Sequence, residues 1–293
     1  MTRDKGPSMG MAQAPNEALP FGEGGVLDKS QDQRPYETDD AKSSYGALSL
    51  IGGYLHKPTP ADKPVLLNRV IMREMSGKEE DMLSSEKIEV FLRFSHILSS
   101  CLVKIFNDEG VSVESPIMMP DVVDNLTISD RMQMLLYLRM ISIDKGHLFT
   151  FRANCPKCGS EFRKSVDLRE LQQKQMANPS ERLYNILLPN GKTANCRILL
   201  GKHEREMNKV SESDSFQFSL QIKVRLQEID GRPANLQDIQ NMSLRDRNVL
   251  RRAFEEHEGG IDMAVAHRCT SCNVKSKIDV DIGQTDFFFP SGT

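Results

Sequence analysis

Four of the six cysteines in this 293-residue chain fall into two pairs with a two-residue gap: Cys155 and Cys158 in "NCPKCGSEF", and Cys269 and Cys272 in "HRCTSCNVK". Thiolates at this spacing suit a metal knuckle, because the turn aims both sulfurs inward while backbone N–H groups face them and offset their charge. One pair supplies half of a tetrahedral site. The same spacing occurs in thiol–disulfide redox centres, where a single CxxC opens a helix in an α/β setting. Here there are two pairs, each followed by a strand pattern. That arrangement points to one structural zinc site held by Cys155, Cys158, Cys269 and Cys272, ahead of dithiol redox chemistry or incidental free thiols. His147 and His267 lie near the knuckles as competing ligands, but four cysteines already complete the site. Cys101 and Cys196 sit in apolar runs and read as small buried hydrophobes.

Elements on either side must position these thiols. Before the first pair, Leu148, Thr150 and Arg152 alternate with Phe149, Phe151 and Ala153; after it, Phe162, Lys164 and Val166 alternate with Arg163 and Ser165. This is the period of a half-buried strand. "GIDMAVAHRCTSCNVKSKIDVDI" repeats the order of strand, knuckle and strand. The expected unit is a four-cysteine zinc ribbon made from two distant β-hairpins, residues 146–168 and 260–282. About 110 residues separate the two pairs, so the metal would staple remote parts of one domain.

The remaining chain reads as an α+β domain over 64–293 with an N-terminal arm over 1–63. The arm is rich in Gly, Pro, Ser, Asp and Gln, too polar to offset its ordering entropy, so it is expected to be disordered or to order on a partner. Its apolar island "YGALSLIGGYL" presents Tyr45, Leu48, Leu50, Ile51, Tyr54 and Leu55 as a docking peptide or as a segment that packs on its own domain. Phe287, Phe288 and Phe289 near the C-terminus carry the same two readings. A helical face runs through Ile88, Phe91, Leu92, Ser95, Leu98, Leu102 and Ile105. A second helix starts at a Thr127–Asp130 capping box and buries Met132, Leu135, Leu136 and Met140, with Arg131 and Arg139 off that stripe. Residues 169–180 read as a polar helical connection. Pro189-Asn190-Gly191 marks a hairpin, and "GKHEREMNKVSES" a charged surface helix. Phe216, Phe218, Leu220, Ile222, Val224 and Leu226 alternate as a strand. Two helices follow, the second capped by Ser243 with Asp246.

Composition excludes several function classes. Net charge is −3 and mean hydropathy −0.44; wholesale nucleic-acid binding needs a basic face instead. No apolar run is long enough to span a bilayer, and "MTRDKGPSMGMAQAPNEALP" lacks the apolar centre of a secretory signal. The chain therefore reads as made in a reducing cytoplasm, with no membrane partner. No phosphate-cradling Gly loop, nucleophile elbow or zinc-protease helix occurs, and "GEGG" follows no strand. The expectation is a non-enzyme with no small-molecule substrate. The alternative function is a zinc-ribbon nucleic-acid-binding regulator, using Lys157, Arg163, Lys164, Arg268, Lys275 and Lys277. Glu161, Asp167, Asp279 and Asp281 on the same units oppose it, and aromatic residues suited to base stacking are few.

An ordered set of motifs resembles the T-even-type bacteriophage baseplate proteins that help build the central hub. The motifs are "RVIMREMSGKEEDML", "SDRMQMLLYLRMISIDKGHLFTFRANCPKCG", "LPNGKTANCRILL", "EIDG", "RNVLRRAFEEHEGGIDMAVAHRCTSC" and "FFFP", running from about residue 69 to 290. The resemblance implies a non-enzymatic virion or assembly protein of the phage tail baseplate, assembled in the host cytoplasm against other tail structural proteins. It carries over Cys155, Cys158, Cys269 and Cys272, and no catalytic residue.

Overall fold

The computed structural model describes residues 46–85, 87–204, 206–207, 216–283 and 287–289. The fold is α+β, as the sequence pattern requires. Among the described residues, no helix is long and apolar enough to cross a membrane.

One antiparallel sheet has the order β1 (Leu48–His56), β2 (Val65–Met72), β3 (Leu102–Phe106) and β4 (Ser112–Val113). Helices α1 (Gly77–Ser84), α2 (Val90–Cys101), α3 (Met119–Asn125) and α4 (Ile128–Ser142) accompany it. A second antiparallel sheet has the order β11 (Arg232–Pro233), β10 (Leu226–Ile229), β9 (Thr193–Arg197) and β8 (Leu183–Leu187). Among the described residues, helices α5 (Gln217–Lys223), α6 (Leu236–Gln240) and α7 (Leu244–Glu258) belong to this half. Each sheet backs its own apolar core.

Strand β1 serves both. Leu48, Leu50 and Tyr54 enter the first core and Ile51 enters the second. Its Gly52-Gly53 pair makes this geometry accessible. Gly53 has φ +68°, and a Cβ there would lie 2.6 Å from the Leu67 carbonyl oxygen; only glycine takes this conformation without strain. The ladder to β2 shifts register over this stretch, as a bulge does. The expected arm over 1–63 is thereby corrected for the described residues 46–63: the apolar island is a paired strand of the domain itself. Tyr45 and the residues before it lie outside the described set.

Helix α4 is the central element. Thr127 Oγ1 accepts the Asp130 N–H at 3.1 Å, while the Asp130 carboxylate accepts the Thr127 hydroxyl at 2.7 Å, the reciprocal cap expected from the sequence. The same carboxylate accepts the Gly52 N–H at 2.8 Å, which ties the helix start to β1. Arg131 and Arg139, expected off the buried stripe, are both buried, whereas Met132 is only half-buried. Arg131 is surrounded by hydrogen-bond acceptors, whereas Arg139 keeps one hydrogen bond and otherwise meets aromatic rings, its Nε and Nη1 unpartnered. Arg131 forms a two-pronged pair with Glu204, at 2.8 Å on both arms, and also donates to the Val123 carbonyl and the Ser95 hydroxyl. Arg139 lies between the rings of Phe149 and Phe287, 5.0 and 5.1 Å from their centroids, and donates to the Leu148 carbonyl at 3.0 Å. Burial pushes its pKa down to about 10.

Three further expectations give way to tertiary pairing. The helical face drawn as far as Ile105 stops at Cys101, because Leu102–Phe106 pairs with β2 instead. The connection over 169–180 is a 3-10 turn at Leu168–Glu170 followed by strand β7 (Gln173–Lys174). The alternating stretch from Phe216 is helix α5 until Lys223; β10 begins only at Leu226. Strand β9 is five residues long, and its ladder to β10 starts at Leu226. Within α5, Ser219 and Ile222 are buried, three residues apart as a helix requires. The charged helix expected from 201 begins with a 3-10 turn at Gly201–His203 and then passes largely outside the described residues. The Pro189-Asn190-Gly191 hairpin and the Ser243–Asp246 helix cap are present as read.

Glu79, at 1 % exposure, caps α1 by accepting from the Ser76 N–H and hydroxyl, and it pairs with Arg73 at 2.7 Å. Burial raises its pKa, but the Arg73, Ser100 and Ser76 hydrogen bonds outweigh that and hold it far below the usual carboxylate range. Glu79→Gln should cost roughly 2–3 kcal/mol at neutral pH, read by urea denaturation. A depressed native pKa stabilises above the unfolded carboxyl pKa and is lost as pH falls. The gap between wild type and variant should therefore close as pH drops below about 4.

Candidate metal centre

The thiols are carried by two β-hairpins. The first is β5 (Leu148–Asn154) with β6 (Glu161–Asp167), and the second is β13 (Ala264–Arg268) with β14 (Lys275–Asp279). In the first, Phe149 and Phe151 are buried while Leu148, Thr150 and Arg152 are exposed, as the alternation predicts. Between the hairpins, β7 pairs with β12 (Gly260–Ile261), so the exit of the first is clasped to the entry of the second.

The two knuckles are built alike. The Cys155 N–H donates to the Ser160 carbonyl and the Gly159 N–H donates to the Cys155 carbonyl, each at 2.9 Å. The Cys269 N–H donates to the Val274 carbonyl and the Asn273 N–H donates to the Cys269 carbonyl, again at 2.9 Å. The residue after the second cysteine of each pair is left-handed: Gly159 at φ +70° and Asn273 at φ +59°. Glycine and asparagine are the residues that take this conformation most readily. Their presence after each CxxC was a sequence signal for the turn that the cysteine spacing alone did not use.

All four Sγ atoms lie within 4.8 Å of one another. Cys155 Sγ is 3.7 Å from Cys272 Sγ, and Cys158 Sγ is 3.7 Å from Cys269 Sγ. A tetrahedral ion with metal–sulfur bonds near 2.3 Å requires sulfur–sulfur edges of about 3.8 Å. The donor set therefore fits a metal that prefers four sulfurs. Cys155 and Cys269 are buried, Cys272 is half-buried and Cys158 is exposed.

Electrostatics prepare the inner thiols for ionisation. Backbone N–H groups of Cys158 and Lys157 lower the Cys155 pKa; those of Cys272 and Ser271 bring Cys269 down to about 6. The Ser160 N–H also lowers Cys158, but the neighbouring cysteines outweigh it and push this thiol up to about 12. Four crowded sulfurs resist becoming four like charges together, and a bound cation removes that resistance.

Contacts around the sulfurs also join the hairpins. The Ser160 and Ser271 hydroxyl oxygens are 3.0 Å apart. His267, weighed above as a ligand, instead stacks on Phe162 with centroids 3.6 Å apart and planes 5° from parallel. His147 is outside the sulfur cluster as well.

The docking residues inferred from the sequence are elsewhere and mostly covered. Leu48, Leu50, Ile51, Tyr54, Phe287 and Phe288 are all buried in this chain's own cores, while Leu55 and Phe289 are half-buried. Phe287 meets Phe149 edge-on at 5.1 Å and Phe288 at 4.7 Å. Apolar surface this complete in its own packing has little left to give a partner, so the docking assignment of the buried residues is withdrawn.

A family model described as "T4 bacteriophage base plate protein" matches residues 113–289, more than half of the chain and both cysteine pairs. The chain belongs to this family. It is a T4-type phage baseplate protein, and its structural setting is the virion tail baseplate, in contact with other phage structural proteins. Neither the curated proteins nor the solved structures contain a match. The baseplate-family match begins at β4, so the motif "RVIMREMSGKEEDML" precedes it.

Cys269→Ser should abolish stoichiometric metal retention, read by elemental analysis of the purified baseplate protein. It should also lower the melting temperature by roughly 5–15 °C, because metal binding to a folded site contributes directly to folding stability. A variant that loses metal yet melts with the wild type would remove the staple role.

Proposed function

We propose that this chain is a non-enzymatic structural or assembly subunit of the hub region of a contractile phage tail baseplate. In this reading, zinc bound by Cys155, Cys158, Cys269 and Cys272 fixes its shape. The observation that carries the proposal is the convergence of four thiols from two remote hairpins, inside the segment that matches the baseplate family. Four thiolates fill a tetrahedral ion and leave no open coordination position for substrate or activated water. Zinc is the favoured ion because it binds four thiolates tetrahedrally without redox chemistry. The protein is made in the reducing host cytoplasm, where its thiols stay free for the metal, and acts by contact with neighbouring baseplate subunits.

Phage unable to make the chain should accumulate tails without complete baseplates, visible by electron microscopy. Wild-type protein supplied in trans should restore infectivity, and Cys155→Ser should not. Complete baseplates in its absence would overturn the assignment. Salt-dependent retention of DNA or RNA by the purified protein would favour the regulator instead.

A further inference from the structure

The second sheet has two unequal edges. Strand β11 is two residues long and consists of Arg232 and Pro233, a charge and a proline that discourage further pairing. Strand β8, at the other edge, has five residues, "LYNIL", with neither charge nor proline. Its hydrogen-bonding direction follows from its flanks. The Leu188 N–H donates to the Lys192 carbonyl at 2.8 Å, and the Ile198 N–H donates to the Arg182 carbonyl at 2.9 Å. Even-numbered residues therefore turn their backbone groups toward β9, and Leu183, Asn185 and Leu187 turn theirs to the open edge. Among the described residues, β9 is the one strand that pairs with β8.

Side chains at the same positions are also uncovered. Leu183 is 59 % and Leu187 72 % exposed, and Asn185 between them is exposed. A neutral edge flanked by exposed leucines is a template for strand addition.

We infer that this edge pairs with the β8 edge of a second copy of the chain. An antiparallel match centred on Asn185 sets Leu183 opposite Leu187 of the other copy, Leu187 opposite Leu183, and Asn185 opposite Asn185. Such reciprocity is what a two-fold interface requires. All three positions turn their backbone groups outward, so this register uses every free group on the edge. The product is a continuous sheet of eight strands.

A pair of five-residue strands buries less than the roughly 1,200–2,000 Å² of a stable dimer. Pairing should therefore be weak in dilute solution and favoured where an assembly holds copies together. Sedimentation velocity of the full chain should show a reversible monomer–dimer equilibrium with a dissociation constant of roughly 10 µM to 1 mM. Asn185→Pro removes an outward N–H and no β8–β9 backbone hydrogen bond, but it also loses the bond that Asn195 Nδ2 donates to Asn185 Oδ1 at 2.9 Å; Leu187→Lys places two charges on the joint. Each should weaken dimerisation at least about tenfold, and Leu187→Lys should leave the melting temperature little changed. Leu187 is exposed, so its variant stands even if Asn185→Pro does not fold. Wild type that remains monomeric throughout that range, or a dimer indifferent to Leu187→Lys, would overturn the inference.

Discussion

Helix α4 has no water-facing side, and its polar side chains must find partners within the protein. Asp130 does so at the helix start with Thr127 and Gly52, Arg131 in the middle with Glu204, and Arg139 near the end with the Leu148 carbonyl and two phenylalanine rings. Those partners come from β1, from the segment after β9, from the first cysteine-bearing hairpin and from the C-terminal phenylalanines. Leaving any one of these groups buried and unpaired carries a desolvation penalty of a few kcal/mol. The helix thus dictates where remote parts of the chain must lie. Crowding enforces the same arrangement: a Cβ on Gly52 would come within 2.8 Å of Thr127 Cγ2, and one on Gly201 within 2.8 Å of Arg131 Nη1.

The thiol cluster and the β7–β12 clasp address a different demand. The chain leaves the first hairpin, builds an entire second sheet and core, and must then return to the same place. Two backbone pairings alone would hold that return weakly. Four sulfurs converging on one point, with the Phe162–His267 stack and the Ser160–Ser271 contact beside them, add the contacts that hold this return in the folded protein.

The cluster of four thiols was legible because its signal is local and chemical: cysteine spacing on period-two strands survives any tertiary context. The α4 cap was legible for the same reason. The sequence was least informative where partners at a distance decided the outcome. Alternation from Phe216 to Leu226 describes a strand, but β9 offers a ladder only to the last part, and the remainder coils against α6 and α7. Arg131 and Arg139 resemble solvent-facing residues until Glu204 and Phe287 are placed beside them. The island at Leu48–Tyr54 carried two readings because some residues that cover it lie far along the chain, as Gly259 does from Ile51.

Sequence distance in the first core has a consequence for biosynthesis. Leu48 emerges from the ribosome about 240 residues before Phe287, yet both belong to one packed interior. Until Phe287 has been made, Arg139 lacks one of its two rings and the interior is open at that side. Completion of this core therefore waits for that residue, and a product truncated before it is left with uncovered apolar surface. A subunit built in this way withholds its finished shape from its neighbours until its most distant core residues have met.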